Sequence, residues 1–106
     1  MVRGEVFRIK APRDSLGSEQ KGERFAVVVQ SDLVTAGSTV IVVPTSQSAV
    51  DAPFRPVVEI KGQATKLLTD KMRASAVQRL GKSVGRLNLD ELIDLDSALK
   101  MVLALR

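Results

Sequence analysis

Short runs of β-branched residues recur along most of the chain and indicate strands. The segment Phe25–Gln30 is almost continuously apolar, which is typical of a strand that is buried on both faces. Thr39–Val43 repeats this pattern and ends at Pro44. Similar but shorter patterns predict further strands at Val2–Ile9, Val57–Ile60 and Val84–Leu87.

The last segment has the pattern of an amphipathic helix. Asn88 followed three residues later by Glu91 forms a capping pair, and Asp90 lies where a carboxylate favours the positive helix end. Asp90, Asp94 and Asp96 are expected on the solvated side of this helix. Apolar residues recur at helical spacing along the other side: Leu92, Ile93, Leu95, Leu99, Val102 and Leu103.

Two polar stretches predict long loops, at Lys10–Glu23 and at Pro44–Pro56. Lys66–Val77 alternates apolar and polar residues, which favours a strand, although its alanines and lysines form strands poorly. The length and the absence of repeats predict one domain over residues 1–106. We therefore expect a mostly β fold, a strongly curved sheet or small barrel, closed by a C-terminal helix.

The amino-acid composition limits which side chains could catalyse a reaction. The 106 residues include neither histidine nor cysteine, so acid–base work must use Asp, Glu, Lys, Arg or hydroxyl groups. Thiolate metal sites and disulfides are excluded, and no spacing typical of metal ligands is present. We expect no metal and no cofactor.

The net charge of +4 favours a polyanionic partner such as nucleic acid, although an ordinary basic protein would have the same charge. With three Phe and no Tyr or Trp, an aromatic RNA-binding platform is not expected. No apolar run approaches membrane-spanning length, and the first residues lack an apolar signal core. The expected location is the cytoplasm.

Three polar residues adjoin the buried strands and could share one rim of the sheet. Arg24 immediately precedes the strand that begins at Phe25, and Thr45 and Ser46 follow the strand that ends at Val43. If these strands are neighbours, Arg24 and Thr45 lie close together. The simpler alternatives are a solvated arginine and hydroxyl groups that satisfy local backbone.

A second set of basic residues is also open to two interpretations. It could bind phosphate, or it could be an ordinary solubilising surface. Its members are Lys66, Lys71, Arg73, Arg79 and Lys82.

In these same segments the sequence resembles the PemK/MazF family of toxin endoribonucleases. The similar pieces keep their order and spacing along nearly the whole chain, although Phe25 stands where the family usually has proline and Lys71 where it tends to have glutamine. They are Arg3–Val6, Gly17–Gln20 followed by Arg24, Ala26–Gln30, Val42–Ser48, and Gln78–Leu80 followed by Val84–Leu87.

The resemblance implies an SH3-like or CcdB-like barrel with helices, a homodimer, and metal-independent cleavage of single-stranded RNA, chiefly mRNA. It also implies an antitoxin partner with an acidic tail. Arg24 and Thr45 correspond to the family's catalytic arginine and threonine. RNA-contacting roles are expected for Ser18, Glu19, Gln20, Ser46, Gln47 and Arg73.

Such a reaction suits these side chains. A guanidinium offers a planar fork of donors for phosphate and does not readily deprotonate, so Arg24 would chiefly stabilise transition-state charge. We expect Arg24 to be the group that delivers the proton as well. Thr45 would orient the phosphate or the 2′-hydroxyl. Two alternatives are a CcdB-like gyrase poison of the same fold and a non-catalytic nucleic-acid-binding barrel.

Overall fold

The computed structural model describes residues 1–10 and 24–106. Within them, seven antiparallel strands form a curled sheet, with one helix at the C-terminal end. The elements are β1 (Glu5–Ile9), β2 (Phe25–Val28), β3 (Thr39–Ser46), β4 (Val57–Ile60), β5 (Gln63–Leu67), β6 (Arg73–Ala76), β7 (Leu80–Arg86) and α1 (Leu89–Leu103). The mostly β fold with a C-terminal helix is confirmed.

The long strand β3 organises the sheet. The order of strands in the sheet is β4-β5-β3-β2-β1-β7, and β6 also pairs with β3. On one side β3 pairs with β2 in the register Ala26–Pro44. On the other side its first half pairs with β6 and its last two residues pair with β5, so one strand has three neighbours.

The sheet is buried on both faces where β2 and β3 meet. Phe25 and Val27 pack into the larger core, which includes Leu95 and Leu99 of α1. Ala26 and Val28 point the other way into a smaller core. All four residues of β2 are buried, as the continuous apolar run predicts.

The prediction of a loop from Pro44 to Pro56 is wrong at its start, because β3 continues through Ser46. A proline normally disrupts a central strand because it has no N–H to donate. Pro44 lies between the β6 pairing, which ends at Val42, and the β5 pairing, which begins at Thr45. The Pro44 carbonyl accepts a hydrogen bond from the Leu68 N–H at 2.9 Å. Because neither pairing includes Pro44, no strand-to-strand hydrogen bond on this side requires its N–H.

Other strands also differ from the expectation. The sequence pattern predicts no strand over the first three residues of β5, and β7 begins at Leu80 rather than at Val84. β1 begins at Glu5, because Gly4 before it has a positive φ of 88°. Within Lys66–Val77, a strand is confirmed at Arg73–Ala76 and at Lys66–Leu67, which form the end of β5.

The helix is confirmed, but its buried face is narrower than predicted. Leu95, Ala98 and Leu99 are buried, whereas Ile93 is 53% exposed and the side chains near the C-terminal end are also accessible. Asp96 is not simply solvated, since its carboxylate lies 2.8 Å from the Arg3 guanidinium. The predicted loop at Lys10–Glu23 lies almost wholly outside the described residues.

The Glu91 carboxylate holds the start of α1 against the sheet. It accepts hydrogen bonds from the Asn88 N–H and from the Glu59 N–H of β4, both at 2.9 Å. The Glu91 N–H donates to the Asn88 side chain at 2.8 Å, which completes a capping box. One side chain thus joins the helix to an edge strand.

We expect Glu91→Ala to lower the free energy of unfolding by about 1–2 kcal/mol, because two backbone N–H groups lose their acceptor. The matched control is Asp90→Ala, which removes a first-turn carboxylate and should cost only about 0.5 kcal/mol. Urea unfolding of both variants provides the comparison. Equal losses would mean that the two hydrogen bonds contribute little.

Candidate functional site

An open cleft of about 480 Å³ lies beyond the C-terminal end of β3. Three segments line it: the start of β2, the end of β3 with the residues that follow, and the β4–β5 hairpin. The lining residues are Arg24, Phe25, Thr45, Ser46, Gln47, Ser48, Ile60, Lys61, Gln63 and Thr65. Four of the residues expected to act on RNA (Arg24, Thr45, Ser46 and Gln47) are thereby brought together.

Strand pairing brings Arg24 and Thr45 to the same rim of the sheet. The register Ala26–Pro44 leads outward to Phe25 and Thr45, with Arg24 one residue further along. The Arg24 carbonyl accepts a hydrogen bond from the Ile9 N–H at 2.9 Å, while the residue as a whole is exposed. Its backbone is therefore fixed by β1, and its side chain has access to the cleft.

Thr45 is only 7% exposed, and its hydroxyl donates to the Phe25 carbonyl at 3.1 Å. A hydroxyl that donates its hydrogen keeps its oxygen lone pairs as acceptors. The Phe25 side chain itself is buried in the larger core, which fixes this carbonyl. The Thr45 hydroxyl therefore satisfies a local backbone group, which the sequence offered as the simpler alternative, and Thr45 is also a lining residue of the cleft.

Ser46 organises the turn that leaves β3. Its hydroxyl oxygen accepts hydrogen bonds from the Ser48 N–H at 3.2 Å and from the Ala49 N–H at 2.9 Å. Its acceptor capacity is used by the backbone, and only the O–H remains to donate outward. Gln47 lies within this turn and lines the cleft.

Arg55 anchors the rest of the connection between β3 and β4. Its guanidinium donates to both carboxylate oxygens of Asp70, at 3.1 and 2.8 Å, and to the Val50 carbonyl at 3.1 Å. The hydrogen bonds from Arg55 lower the pKa of Asp70 below its ordinary value. This bidentate pair joins the connection to the segment after β5.

The cleft is electropositive where the structure describes it. Arg24 and Lys61 are cations, and none of the described lining residues is a carboxylate. Among residues 1–10 and 24–106, no group of three or more Asp or Glu side chains is placed to hold a metal ion. In the same residues, no helix is both long and apolar enough to cross a membrane.

Of the other expected RNA-contacting residues, the structure describes Arg73 alone. Arg73 is on β6 opposite Val42, three residues before Thr45 along β3, and it does not line the cleft. Ser18, Glu19 and Gln20 fall outside the described residues. Sequence reasoning did not single out Lys61, Gln63 and Thr65 of the β4–β5 hairpin. The two-residue Lys61–Gly62 spacing between alternating runs could have revealed this hairpin.

Comparison with known proteins agrees with this architecture. The chain is 36% identical over 106 residues to Rv3098A, a Mycobacterium tuberculosis protein with a toxin designation, covering 99% of both chains. It is 35% identical over 121 residues to the endoribonuclease MazF9 of the same organism, covering 99% of this chain and 98% of MazF9.

The fold is also shared with solved structures. A mycobacterial endoribonuclease in complex with its cognate antitoxin superposes with a TM-score of 0.78 at 16% identity, covering 100% of this chain and 97% of that one. The family model for PemK-like, MazF-like toxins matches residues 2–103. The chain therefore belongs to the PemK-like, MazF-like toxin family of type II toxin–antitoxin systems.

Proposed function

We propose that the protein is an endoribonuclease toxin that cleaves single-stranded RNA, chiefly mRNA, without a metal ion. The observation that carries the proposal is the cleft in which two neighbouring strands bring together Arg24 and Thr45. The described lining offers cations, hydroxyls and two amides, which suit a phosphodiester backbone. The 35% identity to a relative named as an endoribonuclease supports the same activity.

In the proposed reaction the 2′-oxygen attacks the adjacent phosphorus and the bond to the 5′-oxygen breaks. The 2′-hydroxyl loses its proton, the leaving oxygen gains one, and the products are a 2′,3′-cyclic phosphate and a 5′-hydroxyl. Arg24 stabilises the charge on the phosphorane and delivers the proton to the leaving oxygen. The proton lost by the 2′-hydroxyl passes to solvent water and from there restores the guanidinium. Thr45 accepts a hydrogen bond from the 2′-hydroxyl, because its own hydrogen is held by the Phe25 carbonyl.

A CcdB-like gyrase poison is the alternative with the same fold. Such a protein has no need for a phosphate-directed arginine beside a threonine in an electropositive cleft. The relative named as an endoribonuclease also favours RNA cleavage over this alternative. We therefore place the protein's action in the cytoplasm, on RNA.

We further propose an antitoxin that inhibits by covering the cleft with an acidic, disordered segment. The net charge of +4 and the cations at the cleft favour an acidic partner. A structural relative was solved in complex with its cognate antitoxin. RNA and antitoxin would then compete for one surface.

The homodimer expected from the sequence has a candidate interface. An apolar groove of about 470 Å³ lies beside the C-terminal end of α1. Its apolar lining includes Val29, Val34, Ile41, Met72, Leu103 and Leu105, of which Leu105 is 59% exposed. We propose that a second copy of the chain covers this groove, because a contiguous exposed apolar surface is unfavourable in water.

Arg24→Ala should reduce RNA cleavage by about 10²–10³-fold, because the transition state loses a preorganised charged donor. Stability should change by no more than about 0.5 kcal/mol, since the side chain is exposed. Arg24→Lys should also be poor, because an ammonium lacks the fork of donors. The measurement is single-turnover cleavage of a long mRNA of mixed sequence, with the cut ends mapped in excess EDTA.

The matched control for Arg24 is Arg86→Ala, which removes an exposed arginine from β7 outside the cleft. It should cleave like the wild type. Near wild-type cleavage by Arg24→Ala would show that the assigned site is wrong. Loss of wild-type cleavage in EDTA, restored by magnesium, would contradict the metal-independent mechanism.

Thr45→Val should lower the free energy of unfolding by about 1 kcal/mol, because the Phe25 carbonyl loses its hydroxyl donor. Cleavage should fall as well, but less than in Arg24→Ala. Thr45→Ser keeps the hydroxyl and should retain most of both properties. If the valine variant cleaved RNA like the wild type, the hydroxyl would have only the structural role.

Leu103→Asp should convert a dimer of 11.4 kDa subunits into a monomer, because it places a charge in the apolar groove. The control is Leu89→Asp at the opposite end of α1, where the side chain is 72% exposed outside the groove. Light scattering after size-exclusion chromatography measures the mass. A monomeric wild type, or a dimeric Leu103→Asp, would rule out this interface.

A further inference from the structure

The β4–β5 hairpin, which forms one wall of the cleft, turns on two residues with unusual backbone conformations. Ile60 pairs with Gln63 across the turn, and the intervening Lys61 and Gly62 have φ values of 52° and 78°. Positive φ at both central positions defines the tight turn that Asn-Gly favours most. Lysine at the first position is therefore an unfavourable choice for the turn itself.

Lys61 and Ala104 share a positive φ but lie in different surroundings. Among the described residues, Lys61 and Ala104 are the non-glycine residues with positive φ. Ala104 ends α1, where a left-handed residue commonly terminates a helix. Lys61 instead lines the cleft, and strained backbone positions cluster at functional sites.

The sheet order puts Lys61 on the opposite side of the cleft from Arg24. Since β3 lies between β2 and β5, the β4–β5 hairpin and the start of β2 flank the end of β3 from two sides. Both cations line the cleft, together with Thr45, Ser46 and Gln47 from the end of β3. A polyanionic strand that crosses the cleft therefore passes a positive charge at each wall.

From this placement we propose that Lys61 binds a second phosphate of the RNA, next to the one held by Arg24. The inference rests on the proposed function and extends it, because it assigns the hairpin to the substrate-binding surface. A lysine that binds a phosphate contributes affinity and alignment rather than sequence preference. The strained turn persists because the lysine is needed for binding.

The test uses Lys61→Asn, which removes the charge and supplies the residue that the turn prefers. The melting temperature should rise by about 4 °C, because asparagine tolerates positive φ more readily than lysine. RNA affinity should fall on the order of tenfold at low salt, since one charge-assisted hydrogen bond is lost. The slope of log Kd against log salt should fall by about 0.7, as expected for one phosphate contact on a single strand.

The probe is a fluorescent single-stranded RNA that spans a mapped cut and carries a 2′-O-methyl group at the scissile nucleotide. Fluorescence anisotropy over a salt series gives the affinity and the slope. The matched control is Arg86→Asn, an equal loss of charge on exposed β7 outside the cleft, whose salt slope should match the wild type.

Three results would overturn the inference. A Lys61→Asn variant with wild-type affinity and salt slope would show that the hairpin does not contact phosphate. Retained RNA binding with weakened binding of an acidic peptide would assign Lys61 to a protein partner instead. No RNA binding or cleavage by the wild type would remove the proposed function itself, and that outcome is visible before any variant is compared.

Discussion

Every part of the candidate site depends on the pairing of β3 with three different neighbours. Its register with β2 fixes Thr45 beside Phe25, and its pairing with β5 brings in the hairpin that forms the far wall. Val42 and Val43 are fully buried on opposite faces at the middle of this strand. A shift of one residue along β3 would exchange its two faces, so the cores that fix the register also fix the site.

The parts of the fold that follow from local pattern were predictable, and those set by tertiary pairing were not. The buried strand at Phe25–Gln30 and the capped helix after Asn88 could be identified from the sequence, because apolar continuity and capping are properties of a few adjacent residues. The sequence predicts that the strand ends before Pro44, because proline has no N–H to donate. The strand continues because Pro44 lies in the gap between two partner strands, where no N–H is needed. The sequence alone does not reveal this gap.

The same distinction applies to the site. Arg24, Thr45, Ser46 and Gln47 adjoin the two most recognisable strands, and the structure places all four at one cleft. Lys61, Gln63 and Thr65 were missed because β5 contains alanine, threonine and lysine, and only two of its residues are buried. Arg73 is basic and lies on the strand that pairs with Val42, but basic character alone does not place a side chain in a cleft.

The hydrogen bond from the Glu59 N–H to Glu91 also affects whether another chain can pair with the edge of the sheet. β4 lies at the end of the sheet, where unpaired backbone groups can recruit a strand from another chain. The helix carboxylate occupies one of these groups at 2.9 Å. A strand adding to β4 would have to displace a charged side chain held by the helix cap. The contact that docks the helix therefore also protects this edge against aggregation.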